Sequence, residues 1–184
     1  MKNALKLALL CLVVTLSGCA TLSPQECHTA NWKQIGENDG QSGYSSRIAQ
    51  HYKACSKVNV IPNQKLYEFG YQEGQKYYCQ PEVIFDKALQ GGGSYHVCPV
   101  EQHARLRPFY DVPYAYYQSK KNRDALVKEI DKYQNYLLDK KLSKEKRDSY
   151  IDKIRDLKND KNRLESDFEY AERRLNRFER DNGL

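Results

Sequence analysis

The chain has 184 residues and a formal net charge of +6, with 40% hydrophobic and 29% charged residues. This length is enough for one compact domain and an accessory element. The positive charge is spread through sequence of mixed sign, and no cluster resembles a surface that reads a groove or stacks bases. Nucleic acid is therefore not an expected partner.

Residues 1–18 have the pattern of an export signal that is removed from the mature protein. Two lysines precede an apolar run over Ala8–Leu16, which is too short for a permanent transmembrane helix of about 20 residues. The segment Leu-Ser-Gly-Cys that ends at Cys19 resembles the bacterial lipobox. We therefore expect Cys19 to be lipidated and to begin a lipidated linker over 19–26. In the alternative, cleavage occurs nearby and Cys19 stays a plain thiol.

Four cysteines remain beyond the signal and the lipidation site, namely Cys27, Cys55, Cys79 and Cys98. An even number in an exported chain predicts two disulfides, with three possible pairings. Antiparallel helices over about 29–43 and 45–56 would bring Cys27 near Cys55 and leave Cys79 with Cys98. Histidines near the cysteines give a metal-binding alternative, but no Cys-x2-Cys pair typical of structural zinc is present,. No metal or other cofactor is expected.

An internal repeat runs from residue 31 to residue 89. When this segment is compared with itself at an offset of 34, glycines, a glutamine, tyrosines and a Lys-Ala pair coincide: Gly36 with Gly70, Gly40 with Gly74, Gln41 with Gln75, Tyr44 with Tyr78, and Lys53-Ala54 with Lys87-Ala88. The spacing inside each copy is helical, and two copies are too few for a solenoid. The pattern predicts a duplicated helix-turn-helix unit in a small disulfide-stapled helical domain over 27–112.

The glycines share a helix face with larger side chains. The face comprises Trp32, Gly36, Asp39 and Gly40 in the first copy, and Gly70, Glu73 and Gly74 in the second. Each glycine costs a helix about 1 kcal/mol relative to alanine, so the face needs a compensating gain. The first interpretation is close approach of a neighbouring helix backbone. The second is a ligand over the groove, with Asp39 and Glu73 projecting into it.

Residues 113–182 are predicted to form a helical hairpin or coiled coil. Seam positions recur at alternating spacings of four and three in Tyr150, Ile154, Leu157, Lys161, Leu164, Phe168, Ala171, Leu175 and Phe178,. An earlier seam in Leu126, Ile130, Tyr133 and Leu137 is out of phase with it, so one continuous helix would need a stutter or stammer. We favour an antiparallel hairpin whose first arm starts near Pro113. Residues 139–142 would form its bend, and Ser143 would cap the second arm.

The combined motifs of residues 27 to about 110 resemble the bacterial lipoprotein family called domain of unknown function 2799. They are Cys27, Trp32-x2-Ile35-Gly36-x2-Asp39-Gly40-x2-Gly43, His51-x3-Cys55, Tyr67-x2-Gly70-x3-Gly74-x3-Tyr78-Cys79 and Gly93-x-Tyr95-x2-Cys98-Pro99. That family carries no agreed activity, so the resemblance implies placement and architecture only. Ala20 follows the expected lipid-bearing cysteine. In this position the chain resembles lipoproteins that are sent to the outer membrane.

Three classes of function are compatible with this chain. The leading hypothesis is a non-catalytic lipoprotein of the cell outer membrane, facing the periplasm, that presents residues 113–182 to an envelope protein partner. The second is an enzyme of cell-wall glycan in which Asp39 and Glu73 act as acid and base. The third is a protein that binds a small ligand or metal through its histidines.

Overall fold

The computed structural model describes residues 21–184, and within this range the chain is helical and contains no strand. Seven α-helices follow one another: α1 (Pro24–His28), α2 (Trp32–Gln41), α3 (Ile48–Cys55), α4 (Gln64–Tyr78), α5 (Pro81–Leu89), α6 (His103–Leu137) and α7 (Lys144–Asn182). The predicted mainly α class is confirmed. The predicted signal peptide and Cys19 lie outside the described residues.

The chain divides into two compact units, one up to Gln75 and the other from Lys76 onward. Each unit holds one disulfide, Cys27–Cys55 in the first and Cys79–Cys98 in the second. These are the pairs expected from the sequence. The four cysteine side chains are buried in the apolar cores of their units. Each disulfide therefore links two segments that already pack in the same core.

The first unit depends on direct backbone contact between α2 and α4. A Cβ atom placed on Gly36 would lie 2.0 Å from the carbonyl oxygen of Tyr67, and one placed on Gly70 would lie 1.9 Å from that of Lys33. Residues 33 and 67 are themselves 34 positions apart, which is the offset of the repeat. The contact is therefore nearly twofold symmetric, with each copy offering a glycine to the other copy's carbonyl.

The second glycine of each copy repeats this arrangement one turn further along. A Cβ on Gly40 would lie 2.3 Å from the carbonyl oxygen of Tyr71, and one on Gly74 would lie 2.1 Å from that of Glu37. Because the contacts advance in the same direction along both helices, α2 and α4 run parallel. Close helix approach is thus the correct interpretation of the glycine face. The neighbouring backbone fills the groove, and no space is left there for a ligand.

The second unit combines α5 with a long antiparallel hairpin of α6 and α7. The arms have 35 and 39 residues, and the chain reverses between Leu138 and Ser143. The Ser143 side chain accepts a hydrogen bond from the backbone N–H of Lys146, as expected of a cap,. The hairpin is therefore confirmed over the single continuous helix.

The seam of α7 faces the hairpin interior as its spacing predicts. Its buried members are Ile154, Leu157, Phe168, Ala171 and Leu175, and Ile130 of α6 is buried with them. Lys161, the one charged residue at a seam position, is exposed. Its aliphatic stem can lie along the seam while the amine stays in water.

The first arm begins at His103 and not near Pro113, so the boundary predicted at 112 falls inside α6. A proline inside a helix removes one backbone hydrogen bond and crowds the preceding turn. Here Pro113 is fully buried, and its neighbour Val112 packs in a cluster with Phe85 and Leu175. Proline prefers the first turn of a helix, and this preference predicted a helix start at Pro113. Tertiary packing of this turn outweighs that preference.

We predict that Gly36→Ala destabilises the first unit by about 2 kcal/mol or more, because no rotamer change can move a Cβ away from a backbone oxygen. Gly70→Ala should cost a similar amount, since it occupies the symmetric contact. Denaturant unfolding followed by the fluorescence of Trp32, the single tryptophan, measures this. The control is Gly92→Ala, whose Cβ would meet its nearest atom only at 3.9 Å. Unfolding midpoints for Gly36→Ala that match the parent protein would contradict the contact.

Candidate functional site

A buried polar network joins three helices of the first unit around Asp39 of α2. The Oδ2 atom of Asp39 accepts hydrogen bonds from His51 Nε2 of α3 and from the Tyr67 hydroxyl of α4, each at 2.8 Å. The backbone N–H of Arg47 donates to the Tyr67 oxygen at 2.8 Å. The Arg47 guanidinium lies 3.6 Å from Asp39 Oδ1. Asp39 is 7% exposed and His51 is 2% exposed.

Electrostatics keep this carboxyl ionised. Burial opposes the charge, but the His51 and Tyr67 hydrogen bonds together with the charges of His51 and Arg47 outweigh it, so the pKa of Asp39 is lowered,. Burial, followed by the hydrogen bond to Asp39 and its charge, raises the pKa of Tyr67 to about 12. The network is therefore one carboxylate that accepts hydrogen bonds from two side chains and faces one guanidinium.

One atom of the network has no partner among residues 21–184. His51 Nε2 must carry the proton, because an ionised carboxylate only accepts. The other ring nitrogen, Nδ1, is buried without a hydrogen bond. The Trp32 and Tyr67 ring centroids lie 6.3 Å and 5.6 Å from the His51 ring centroid, so the His51 ring lies among aromatic groups.

The network does not match the pair of carboxylates proposed for glycan cleavage. Asp39 is buried with both oxygens engaged, whereas Glu73, at the equivalent position of the second copy, is exposed. An acid or base in such a reaction must reach the substrate oxygen or an attacking water. The geometry instead fits a structural role in which Asp39 fixes α3 against the α2–α4 pair.

The partners of Asp39 were not identified from the sequence, although the repeat contains a signal for one of them. The position 34 residues after His51 is Phe85, which is buried in the core of the second unit. A histidine that replaces a core phenylalanine in one copy indicates a buried polar contact specific to that copy. Arg47 and Tyr67 have no such signal.

Metal-binding residues do not assemble in the described part of the chain. No group of three or more histidine, cysteine, aspartate or glutamate side chains suited to a metal ion occurs there. The four cysteines are used in disulfides, and His103 donates to the carbonyl oxygen of Cys98 at 2.8 Å.

The hairpin of α6 and α7 gives the second unit a long exposed surface. Its outer face on α7 carries exposed ion pairs spaced three or four residues apart, Arg155 with Asp152, Arg163 with Asp160 and Arg173 with Glu169. Such pairs contribute little to stability. They give this long helix face alternating positive and negative charges, so the face is suited to water without a partner chain.

A shallow groove of about 750 Å³ lies beside the α6 arm. Leu89, Tyr116 and Ala125 form its apolar part, and its polar rim consists of Tyr117, Lys120, Lys121, Asp124 and Lys128. Arg123 already pairs with Asp124 at 2.9 Å, so the three lysines dominate the rim. The hairpin therefore has a cationic side in addition to its patterned face.

None of the helices in residues 21–184 has the length and apolar character that crossing a membrane requires. The described part is an all-α protein made of duplicated, disulfide-stapled helical units and a long hairpin. Residues 31–113 match the family described as "Protein of unknown function (DUF2799)", and through this segment the chain belongs to that family. The family resemblance drawn from the motifs is confirmed, and most of the hairpin lies outside the match. No curated protein and no solved structure matches the chain.

We predict that Asp39→Asn lowers the free energy of unfolding of the first unit by about 1–3 kcal/mol at neutral pH, because the buried ionised acceptor becomes a neutral amide that no longer pairs with Arg47,. The pKa of Asp39 in the folded state lies below its ordinary value of 3.8. Its contribution is therefore complete above about pH 4 and is lost as the pH falls through the lowered pKa. Unfolding titrations from pH 7 to strong acid should show less acid sensitivity in the variant.

The matched control for this titration is Asp156→Asn, which removes an exposed carboxylate of α7. It should leave both the neutral stability and the acid response of the first unit unchanged. The structural role of the network is wrong if Asp39→Asn and Asp156→Asn give the same unfolding curves.

Proposed function

We propose that the chain is a lipid-anchored protein of the bacterial outer membrane, facing the periplasm, and that it acts as a non-catalytic interaction module. Its hairpin, α6 with α7, is the surface offered to an envelope protein partner. The observation that supports this most directly is that the hairpin seam is closed internally. Ile154, Leu157, Phe168 and Leu175 are buried without a second chain, so the outer faces are left available.

The length of the hairpin suits such a role. At 1.5 Å per residue, the 39 residues of α7 extend about 58 Å,. A face of this length with alternating charges can select a partner by charge complementarity more readily than by apolar area. No step in this scheme requires a catalytic residue, and the buried state of Asp39 agrees with that.

The anchor part of the proposal has independent support. Two disulfides persist in oxidising compartments, of which the bacterial periplasm is one,. The apolar run and the lipobox-like segment that ends at Cys19 supply the export route and the lipid attachment site,. Seven residues separate Cys19 from Cys27, so a lipid at Cys19 would hold the first disulfide close to the membrane.

Mass spectrometry of the protein purified from bacterial membranes tests the anchor. We expect a mature chain that begins at Cys19 and carries the added mass of a diacylglyceryl or triacylated cysteine. Cys19→Ser should abolish both the added mass and this cleavage. A mature N-terminus elsewhere with an unmodified Cys19 would show that the alternative signal peptide is correct.

Photo-crosslinking in intact cells tests the interaction module. A photoreactive residue in place of Asp156 or Arg163, both exposed on α7, should give a discrete protein adduct of constant mass. The same residue in place of Lys53, exposed on α3 of the first unit, is the matched control and should not give that adduct. Adducts with lipid alone, or none at several hairpin sites, would reject the protein partner.

A further inference from the structure

The end of the hairpin exposes apolar side chains that the seam does not require. Leu138 is 76% exposed, Ile151 is 48% exposed and Tyr136 is 43% exposed. Leu138 lies in the bend, whereas the other two lie in the adjacent turns of α6 and α7. The exposure of Leu138 and Ile151 is not explained by packing within the hairpin.

The bend that carries Leu138 is well ordered by hydrogen bonds. Arg147 of α7 donates to the carbonyl oxygens of Leu137 and Asp139, at 3.0 and 3.2 Å. The backbone N–H of Lys141 donates to the Asp139 side chain at 2.9 Å. These contacts satisfy carbonyl groups at the end of α6 that would otherwise face water. Leu138 is consequently held outward by a fixed bend.

Aromatic rings support the same end. The Tyr133 and Tyr136 rings each contact the Tyr150 ring, with centroids 5.4 and 5.5 Å apart. The Lys132 amine lies 5.9 and 5.8 Å from the Tyr133 and Tyr136 centroids. Tyrosine combines a large apolar body with a polar hydroxyl, the combination that suits the boundary between water and lipid.

Positive charge is denser at this end than in the part of α7 that follows it. Residues 132–147, here called the hairpin tip, hold six cationic and two anionic side chains, a net charge of +4. Residues 148–172, which follow on α7, hold five cationic and eight anionic side chains, a net charge of −3. The net charge therefore changes sign between the hairpin tip and the part of α7 that follows it.

We propose that the hairpin tip docks on a membrane surface rich in anionic phospholipid. Leu138 and Tyr136 of the tip, with Ile151 beside it, would enter the boundary between headgroups and acyl chains. Lys140, Lys141 and Lys144 would meet the lipid phosphates. Exposed apolar side chains ringed by lysines are the combination that interfacial helices use, and their binding depends on anionic lipid. The proposal rests on the proposed membrane location of the chain but not on its protein partner.

Charge complementarity favours lipid over a protein at this one place. An anionic protein partner would be expected to use the patterned faces, where charges of both signs give selectivity. The tip instead offers a net positive charge around separate apolar side chains at a chain reversal, so it can meet a flat, uniformly anionic layer without shape matching.

Vesicle binding with a probe at the tip tests the proposal. The mature protein carries an environment-sensitive fluorescent amino acid in place of Leu138, or in place of Asp156 as the position control. Each form is mixed with vesicles of phosphatidylcholine alone or of phosphatidylcholine with phosphatidylglycerol. Neutral and anionic vesicles accept a lipid anchor equally well. A difference between the two therefore reports on the tip and not on the anchor. We expect a shift of emission to shorter wavelength only for the probe at 138, only with phosphatidylglycerol, and reversed by high salt.

Two charge variants complete the test. Lys140→Gln/Lys141→Gln/Lys144→Gln should raise the concentration of anionic vesicles needed for half the shift by about a hundredfold. Lys153→Gln/Lys158→Gln/Lys161→Gln removes the same charge from exposed positions of α7 and should raise it by no more than about threefold,. Circular dichroism confirms that both variants stay helical.

Equal responses of the two triple variants, or equal shifts with and without phosphatidylglycerol, would overturn the proposal. So would a shift at 138 that appears only when envelope protein is added, because the tip would then bind protein. Loss of the protein adducts at Asp156 and Arg163 in cells would reject the proposed function and leave the vesicle result standing.

Discussion

The contact of two helix backbones through four glycines is the constraint on which the first unit depends. With any larger side chain at Gly36 or Gly70, α2 and α4 would have to separate, since the opposing atoms are carbonyl oxygens and not movable side chains. Close approach is also what brings Asp39 of α2 within 2.8 Å of the Tyr67 hydroxyl of α4. The cost of helical glycine is therefore offset twice, by backbone packing and by a buried hydrogen bond.

The two copies of the repeat keep this crossing and use their second helices differently. In the first copy, α3 offers His51 to Asp39. In the second copy, α5 offers Phe85 at the equivalent position, and this ring stacks on Phe178 of α7 with centroids 6.2 Å apart. Equivalent positions of the two copies therefore have different roles. His51 belongs to a polar network in the first unit, and Phe85 packs at the base of the hairpin in the second.

Features that repeat along the chain were predictable, and features set by packing in three dimensions were not. The seam of α7, its cap at Ser143 and the reversal before it follow from local spacing and capping preferences. The start of α6 was placed ten residues too late, because Pro113 is tolerated only through burial. The partners of Asp39 lie 12 and 28 positions away along the chain, at distances where no periodic pattern connects them.

Equivalence in sequence also does not guarantee equivalence in environment. Asp39 and Glu73 occupy the same position of the repeat, and this suggested two carboxylates in one cleft. The first is buried because α3 covers it with His51 and Arg47, whereas the second is exposed. Proline stands where Arg47 would be repeated, and phenylalanine where His51 would be. The second copy therefore does not repeat the cation and the histidine donor that help to keep a carboxylate buried in the first,.

The closed seam decides where function should be sought in the second unit. Because α6 and α7 bury their apolar residues against each other, oligomerisation is not needed to complete the core. The outer faces and the end of the hairpin take no part in this core. The faces have both signs of charge and few apolar side chains, which suits reversible and selective contact. The end has a net positive charge and exposed leucine, isoleucine and tyrosine, which suits a different, less selective surface. The hairpin can therefore make both kinds of contact at the same time, because they use different residues.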